Sequence, residues 1–545
     1  MPELLDEVAT PAMPTQQEPR FDVAYEPWLP LVRENGDVEE AGLIETLCQA
    51  HEIQAIRDPM PPVECGLVRL LVAFALDIFE PDGAADWEEV WEMGRFDEAR
   101  VRAYFDKYAD RFNLFDEVHP FLQDAAAGGD DKPLAGLLPS QPAGTNAAHF
   151  QHGVEADFAV APALAARLLA TIAPFMTAGG AGLSPSINGA PPWYVLLQGA
   201  NLFETIWLNC LVLADLRPKV QADVPAWRDD RPLLKTDRTE AGLLEALTWR
   251  PRRIRLVPHL APQGNGRCAL SGQETPVLVG RMKFAAAWST RFEWRDPNVP
   301  RRVSTEGAIV LRPREGREVW RDVGALALLR HSERGGSERP SIVSQFASLI
   351  EQQYLPEDTP LRLALYGMRT DMKMKVFEWH REMLRLPAPL LWQQQFQSQA
   401  TDAIKLADDV AYALGRAIKH TYPRDGAGND KAFEPLIARA QSQFWRRLRP
   451  YYTDTPDSLL YRLAPLHPER DGAQIQAAIQ EWHKAMRQVA QRALDQAIGE
   501  LDTDGAAMKR QMEARSQFAG RLWALLNPEA AATAKEKKKK ESKHE

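Results

Sequence analysis

The spacing of apolar positions changes several times along the chain, and each change predicts a different kind of element. Residues 21–33 (FDVAYEPWLPLVR) alternate apolar and polar positions, which predicts an opening strand. Spacings of three and four then predict helices at about 62–80, 98–111, 155–175 and 193–215. Two loop-rich stretches interrupt them, 113–152 with DAAAGGDDKP and PSQPAGTN, and 177–192 with TAGGAGLSPSINGAPP. Long irregular segments in a compact domain more often serve function than idle. From about 245 to 312 the pattern shortens to β-type runs at 253–257, 276–279, 291–294 and 308–311. Helical spacing returns at 317–331 and 339–353, and a short run at 361–366 leads into GMRTDMKMK.

Beyond about residue 385 only helical spacing remains. Ala400, Ile404, Ala407, Val410, Ala411, Leu414 and Ile418 form one stripe; Ile475, Ile479, Trp482, Met486, Val489 and Ala493 form another. Helices near 390–421, 430–449, 471–500 and 503–527 predict a four-helix bundle. A chain of 545 residues exceeds what one core supports. The expected class is therefore α+β: a large mixed, loop-rich domain over 1–385, a C-terminal four-helix bundle over 386–530, and a disordered Lys-rich tail over 531–545.

Composition removes several function classes. The most apolar helix candidates, 66–79 and 193–216, are interrupted by Arg69 and Asp77, and by Gln198, Asn201, Glu204 and Asn209. Both read as buried helices rather than membrane spans. The acidic, Pro-rich start has no secretory pattern. Cys48, Cys65, Cys210 and Cys268 are scattered, which fits a reducing cytoplasm and argues against a disulfide framework or zinc knuckle. A net charge of -10 argues against a nucleic-acid partner, yet residues 250–317 hold 14 Lys and Arg against 5 Asp and Glu. That segment is either a localised phosphate-binding surface or an Arg-rich solvated sheet face.

A search for catalytic chemistry yields no positive case. The chain has no phosphate-loop signature, no HExxH and no GxSxG. His149 and His152 are three apart but stand in a loop without a carboxylate partner. Gly180, Ala181 and Gly182 make only half of a dinucleotide fingerprint, and CALSG around Cys268 only half of a zinc ribbon. No enzyme activity, metal or cofactor is expected.

Five segments together resemble the CasA family, the large subunit of type I-E CRISPR Cascade: RFNLFDEVHPFLQ (111–123), LLPSQPAGTNAAHFQH (137–152), GGAGLSPSINGAPPWYVLLQGANLFETIWLNC (179–210), LTWRPRRIRL (247–256) and LRLALYGMRTD (361–371). The resemblance covers most of the chain, in the family's order. It implies a non-catalytic subunit that reads the protospacer-adjacent motif of double-stranded target DNA through the minor groove and starts duplex opening. The subunit then recruits a helicase–nuclease. Its partners would be CRISPR RNA and the other Cascade subunits, with no membrane.

The resemblance also implies site residues. A glycine loop entering the minor groove falls on Ala178, Gly179, Gly180, Ala181 and Gly182, where missing side chains permit close backbone approach. A lysine finger falls on Lys283, with Arg281 as the alternative; either could be a plain exposed strand residue. A wedge that splays the first base pair falls on Met372, assisted by Lys373, where relatives often carry glutamine. Methionine can unstack bases, or it can fill core. His149, Phe150, Gln151 and His152 match a loop that holds the guide RNA and neighbouring subunits, unless Phe150 folds into its own core. Arg252, Arg253, Arg255, Arg301 and Arg302 are candidates for phosphate contact. The competing readings are an unrecognised metal-dependent nuclease, which needs clustered carboxylates or histidines, and a purely architectural subunit.

Overall fold

One helix, Pro61–Phe79, organises the first two-thirds of the chain. Two prolines open it, Glu80 closes it in a left-handed conformation, and every residue from Pro62 to Phe79 is buried. A helix apolar on all sides must be enclosed, and its three buried charges then need partners. Glu64 accepts from the Tyr366 hydroxyl (2.5 Å) and pairs with Arg381 (2.9 Å). Arg69 pairs with Asp296 (2.8 Å), and Asp77 takes hydrogen bonds from Tyr104 and Arg228. Each charge thus ties the helix to a different part of the chain.

The computed structural model describes residues 18–139, 157–179, 182–213, 223–261, 264–328, 336–371, 375–422, 433–501 and 504–533. Small antiparallel sheets surround the helix. Leu29–Arg33 pairs with Val38–Ala41 and Ile53–Ile56. Val277–Ala286 lies between Arg252–Leu260 and Asp130–Pro133. Arg301–Ser304 lies between Gly307–Val310 and Gly336–Glu338. Leu361–Thr370 lies between Tyr194–Leu197 and Val376–Leu386.

Among the described residues, four long helices follow: Gln394–His420, Glu434–Tyr452, Gly472–Gly499 and Gly505–Leu526, with the short helix Leu459–Leu463 between the second and third. Their buried stripes include Ala400, Ala407, Val410, Leu414 and Ile418, and Ile475, Trp482, Met486, Val489 and Ala493. Apolar burial is continuous from Val23 to Leu526. At the seam Trp320 packs edge-on to Trp445 (5.6 Å) and against Tyr452 (5.3 Å), while the Arg321 guanidinium lies 3.7 Å over the Trp445 ring.

The mixed α and β class agrees with the sequence reading, but several local readings do not. Residues 193–215 form the strand Tyr194–Leu197 followed by the seven-residue helix Leu202–Leu208, not one helix. The run 291–294 is not a strand; pairing stops at Ser289–Thr290. The long strand Val376–Leu386 went unpredicted. Among the described residues, no helix is long and apolar enough to cross a membrane.

Candidate nucleic-acid interface

The three-stranded sheet centred on Val277–Ala286 has two chemically distinct faces. Ile254, Leu256 and Met282 are buried on one, with Phe284 packed beside them. Alternation puts Arg253, Arg255, Arg281 and Lys283 on the other. Register sets Lys283 directly opposite Arg255 on one side and Asp131 on the other. Asp131 is already engaged, accepting from Arg281 Nε at 2.8 Å. Asp124 pairs with Arg253 at 2.5 Å.

Two cations on this face remain without a carboxylate among the described residues. Arg255 donates only to the carbonyls of Glu117 (3.2 Å) and Ala125 (3.4 Å), and the Lys283 side chain makes no hydrogen bond or ion pair among those residues. Like charges directly opposite on neighbouring strands oppose folding, so this pair is better suited to an anion than to the chain's own stability.

The glycine loop follows the short helix Ile172–Phe175 and is tied to the end of the same sheet. Arg252, opposite Ala286, donates to Thr177 O (3.0 Å), Ser184 O and Pro251 O, closing the base of the loop. Gly179 N adds a bond to Leu183 O at 3.1 Å. Ala178 and Gly179 are half-buried and Gly182 is exposed; Lys283 is half-buried. Lys283 stands three residues from Ala286, about 10 Å along the strand. It faces away from the side on which Arg252 reaches the loop.

The far limb of the loop is fixed from the core. Asn188 donates to Asp296 (2.8 Å) and to the Tyr194 hydroxyl (3.1 Å), which itself donates to Pro174 O (2.7 Å). Asp296 also holds both Arg69 nitrogens and the Asn298 amide. Burial pushes the Asp296 carboxyl up, but Arg69 and the hydrogen bonds outweigh it and hold the group below the usual carboxylate range.

Leu361–Thr370 and Val376–Leu386 form the hairpin on which the wedge was expected. Asp371 and Lys375 close its tip by two hydrogen bonds, Asp371 N to Lys375 O (3.1 Å) and Lys375 N to Asp371 Oδ1 (3.0 Å). Gly367 lets this strand press on its neighbours, since a Cβ there would meet Trp193 and Pro313 at 2.7 Å. Beside the tip, Phe377 is exposed with the Arg369 guanidinium 4.8 Å over its ring.

Two of the expected phosphate contacts are corrected. Arg252 is only 2% exposed and serves the loop base; burial lowers its pKa to about 10, so it stays charged at neutral pH. Arg301 is 4% exposed and donates to Trp294 O at 2.6 Å. Arg302 is partly exposed but shares Asp322 with Arg317, in a different sheet from Lys283. Gly180, Ala181, Met372, Lys373, His149, Phe150, Gln151 and His152 lie outside the described residues. Among the described residues, no three His, Cys, Asp or Glu side chains are grouped to hold a metal.

Known proteins supply a family for this arrangement. The sequence profile of the family described as CRISPR-associated protein Cse1 matches residues 22–493. The CRISPR-associated protein CasA/Cse1 of Thermus thermophilus is 29% identical over 542 residues, covering 94% of this chain and 98% of that protein. The crystal structure of Cse1 from Acidimicrobium ferrooxidans superposes with a TM-score of 0.74 at 24% identity, covering 94% of this chain and 99% of that one. A chain in a structure described as a CRISPR RNA-guided surveillance complex gives a TM-score of 0.67 at 23% identity, covering 92% and 99%. The profile match spans well over half of the sequence, and the chain belongs to the CRISPR-associated Cse1 (CasA) family.

Proposed function

We propose that this chain is the non-catalytic large subunit of an RNA-guided surveillance complex, and that it recognises a short motif in double-stranded DNA. Its partners are CRISPR RNA, the other subunits of the complex, the target duplex and a helicase–nuclease recruited after target binding. The observation that carries the reading is the cross-strand pair Arg255 and Lys283, neither of which forms an ion pair with a carboxylate among the described residues, set on a sheet whose end anchors the glycine loop.

Each component has a physical part. The loop offers backbone N–H groups to minor-groove edges, which are mostly acceptors and discriminate loosely between base pairs. Lys283, assisted by Arg281, supplies charge on the opposite face of the adjoining sheet, and Arg253 and Arg255 supply phosphate contacts there. Met372 and Lys373 wedge the first base step apart. The segment with His149, Phe150, Gln151 and His152 holds guide RNA or a neighbouring subunit. Base pairing with the guide then reads the target, a division of labour general to RNA-guided recognition.

The test uses the complex assembled with guide RNA and measures affinity for motif-bearing and motif-scrambled duplexes. The intact complex prefers the motif-bearing duplex, and the double substitution Arg255→Gln, Lys283→Gln weakens binding and reduces the salt slope by about 2. An intact complex that binds both duplexes alike refutes motif recognition.

A further inference from the structure

We propose that Lys235 is a second cationic contact at the glycine loop, gripping a phosphate on the backbone that flanks the groove. This rests on the reading of the loop as a DNA-entering element. Nothing in the sequence around Lys235 (RPLLKTDRT) distinguishes it from an ordinary solvated lysine. Its position in the fold does.

Gly182 adopts φ +76°, a left-handed conformation that favours glycine. A Cβ at that position would also lie 2.6 Å from Lys235 Nζ and 3.3 Å from its Cε. The turn favours glycine, and the missing side chain leaves the room that the ammonium group occupies. The lysine is laid against the loop backbone, while both residues face solvent.

The segment carrying Lys235 is held on both sides. Leu233 is buried with Trp288, Trp249 and Ile187 in a small apolar cluster separate from the main core. Thr236 O accepts from Ser289 N at 3.0 Å, and Asp237–Arg238 pairs in parallel with Ser289–Thr290. Ile187 belongs to the far limb of the glycine-loop segment. Loop limb and lysine segment thus share one core and are positioned together.

Charge points to an external anion. Asp237, the carboxylate nearest in sequence, is taken by Arg291 (2.8 Å) and Ser289. Lys235 itself has no ion pair or hydrogen bond from its side chain among the described residues. An ammonium group is a compact point charge without the planar fork that reads bases, which suits it to a phosphate oxygen.

The experiment uses the full chain in its assembled complex. Affinity is measured for motif-bearing and motif-scrambled duplexes across a salt series, for the unaltered protein, Lys235→Gln and Lys235→Arg. Lys235→Gln weakens both duplexes by the same factor and lowers the salt slope by about 0.9, so the unaltered protein loses about threefold more affinity than the variant between roughly 50 and 200 mM salt. Lys235→Arg keeps the slope. An unchanged affinity and slope in Lys235→Gln, or a loss confined to the motif-bearing duplex, overturns the proposal. A failure of the unaltered complex to discriminate the motif strikes the loop reading instead, and the two failures are read from different columns of the same data.

Discussion

Arg252 shows how one residue's role depends on which side of a strand it occupies. It spends its guanidinium on three carbonyls and so fixes the loop whose exposed end bears Gly182. Arg252→Ala leaves those acceptors short of donors, at a cost of about 1–3 kcal/mol for a buried group left unsatisfied. A lower melting temperature is expected, together with reduced discrimination between motif-bearing and scrambled duplexes; full discrimination in a folded variant would show that the anchor is irrelevant to recognition. The sequence held the cue to this role. In PRRIRL, Arg252 shares parity with Ile254 and Leu256, whereas Arg253 and Arg255 take the opposite parity. Charge alone made the three look equivalent, and alternation separates them. No such cue existed for Lys235, because its meaning comes from Gly182, more than fifty positions earlier in the chain.

Among elements, the strands Leu361–Thr370 and Val376–Leu386 flank the segment in which the family resemblance puts a wedge. Met372→Ala should weaken binding to an intact duplex several-fold while sparing a target opened in advance, since unstacking a base step costs about a few kcal/mol. Equal losses on both targets, or none on either, would sink the wedge. Element types were legible where the apolar period was clean. The stripe through Val410, Leu414 and Ile418 has the helical interval and forms a buried helix face. Tyr194–Leu197 was misread because all four residues are buried, leaving no alternation to mark a strand. Val376–Leu386 escaped because most of it is half-exposed and its polar residues mask the period.

At the scale of the whole molecule, two buried carboxylates should lose their stabilising pairs in acid. Asp296 and Asp322 are both held below their unfolded values of about 3.9, against burial, by Arg69 in one case and by Arg317 and Arg302 in the other. Their contribution is complete above about pH 4 and drains away as the pH falls through the depressed folded values. Thermal melting followed between about pH 7 and pH 3 should therefore hold steady and then drop at the acid end; a melting temperature that rises below about pH 4 would contradict this. Asp296→Ala at neutral pH should cost about 3–5 kcal/mol, the penalty for stranding a buried Arg69. The helix that carries Arg69 has a wider consequence. Glu64 binds the hairpin, Arg69 reaches the far limb of the glycine loop through Asp296, and Asp77 binds Arg228, upstream of Lys235. Those three fastenings span about 20 Å of a single rod. It works like a carpenter's jig: the segments proposed to meet the duplex are clamped at preset intervals, so the enclosed helix sets the gauge between them.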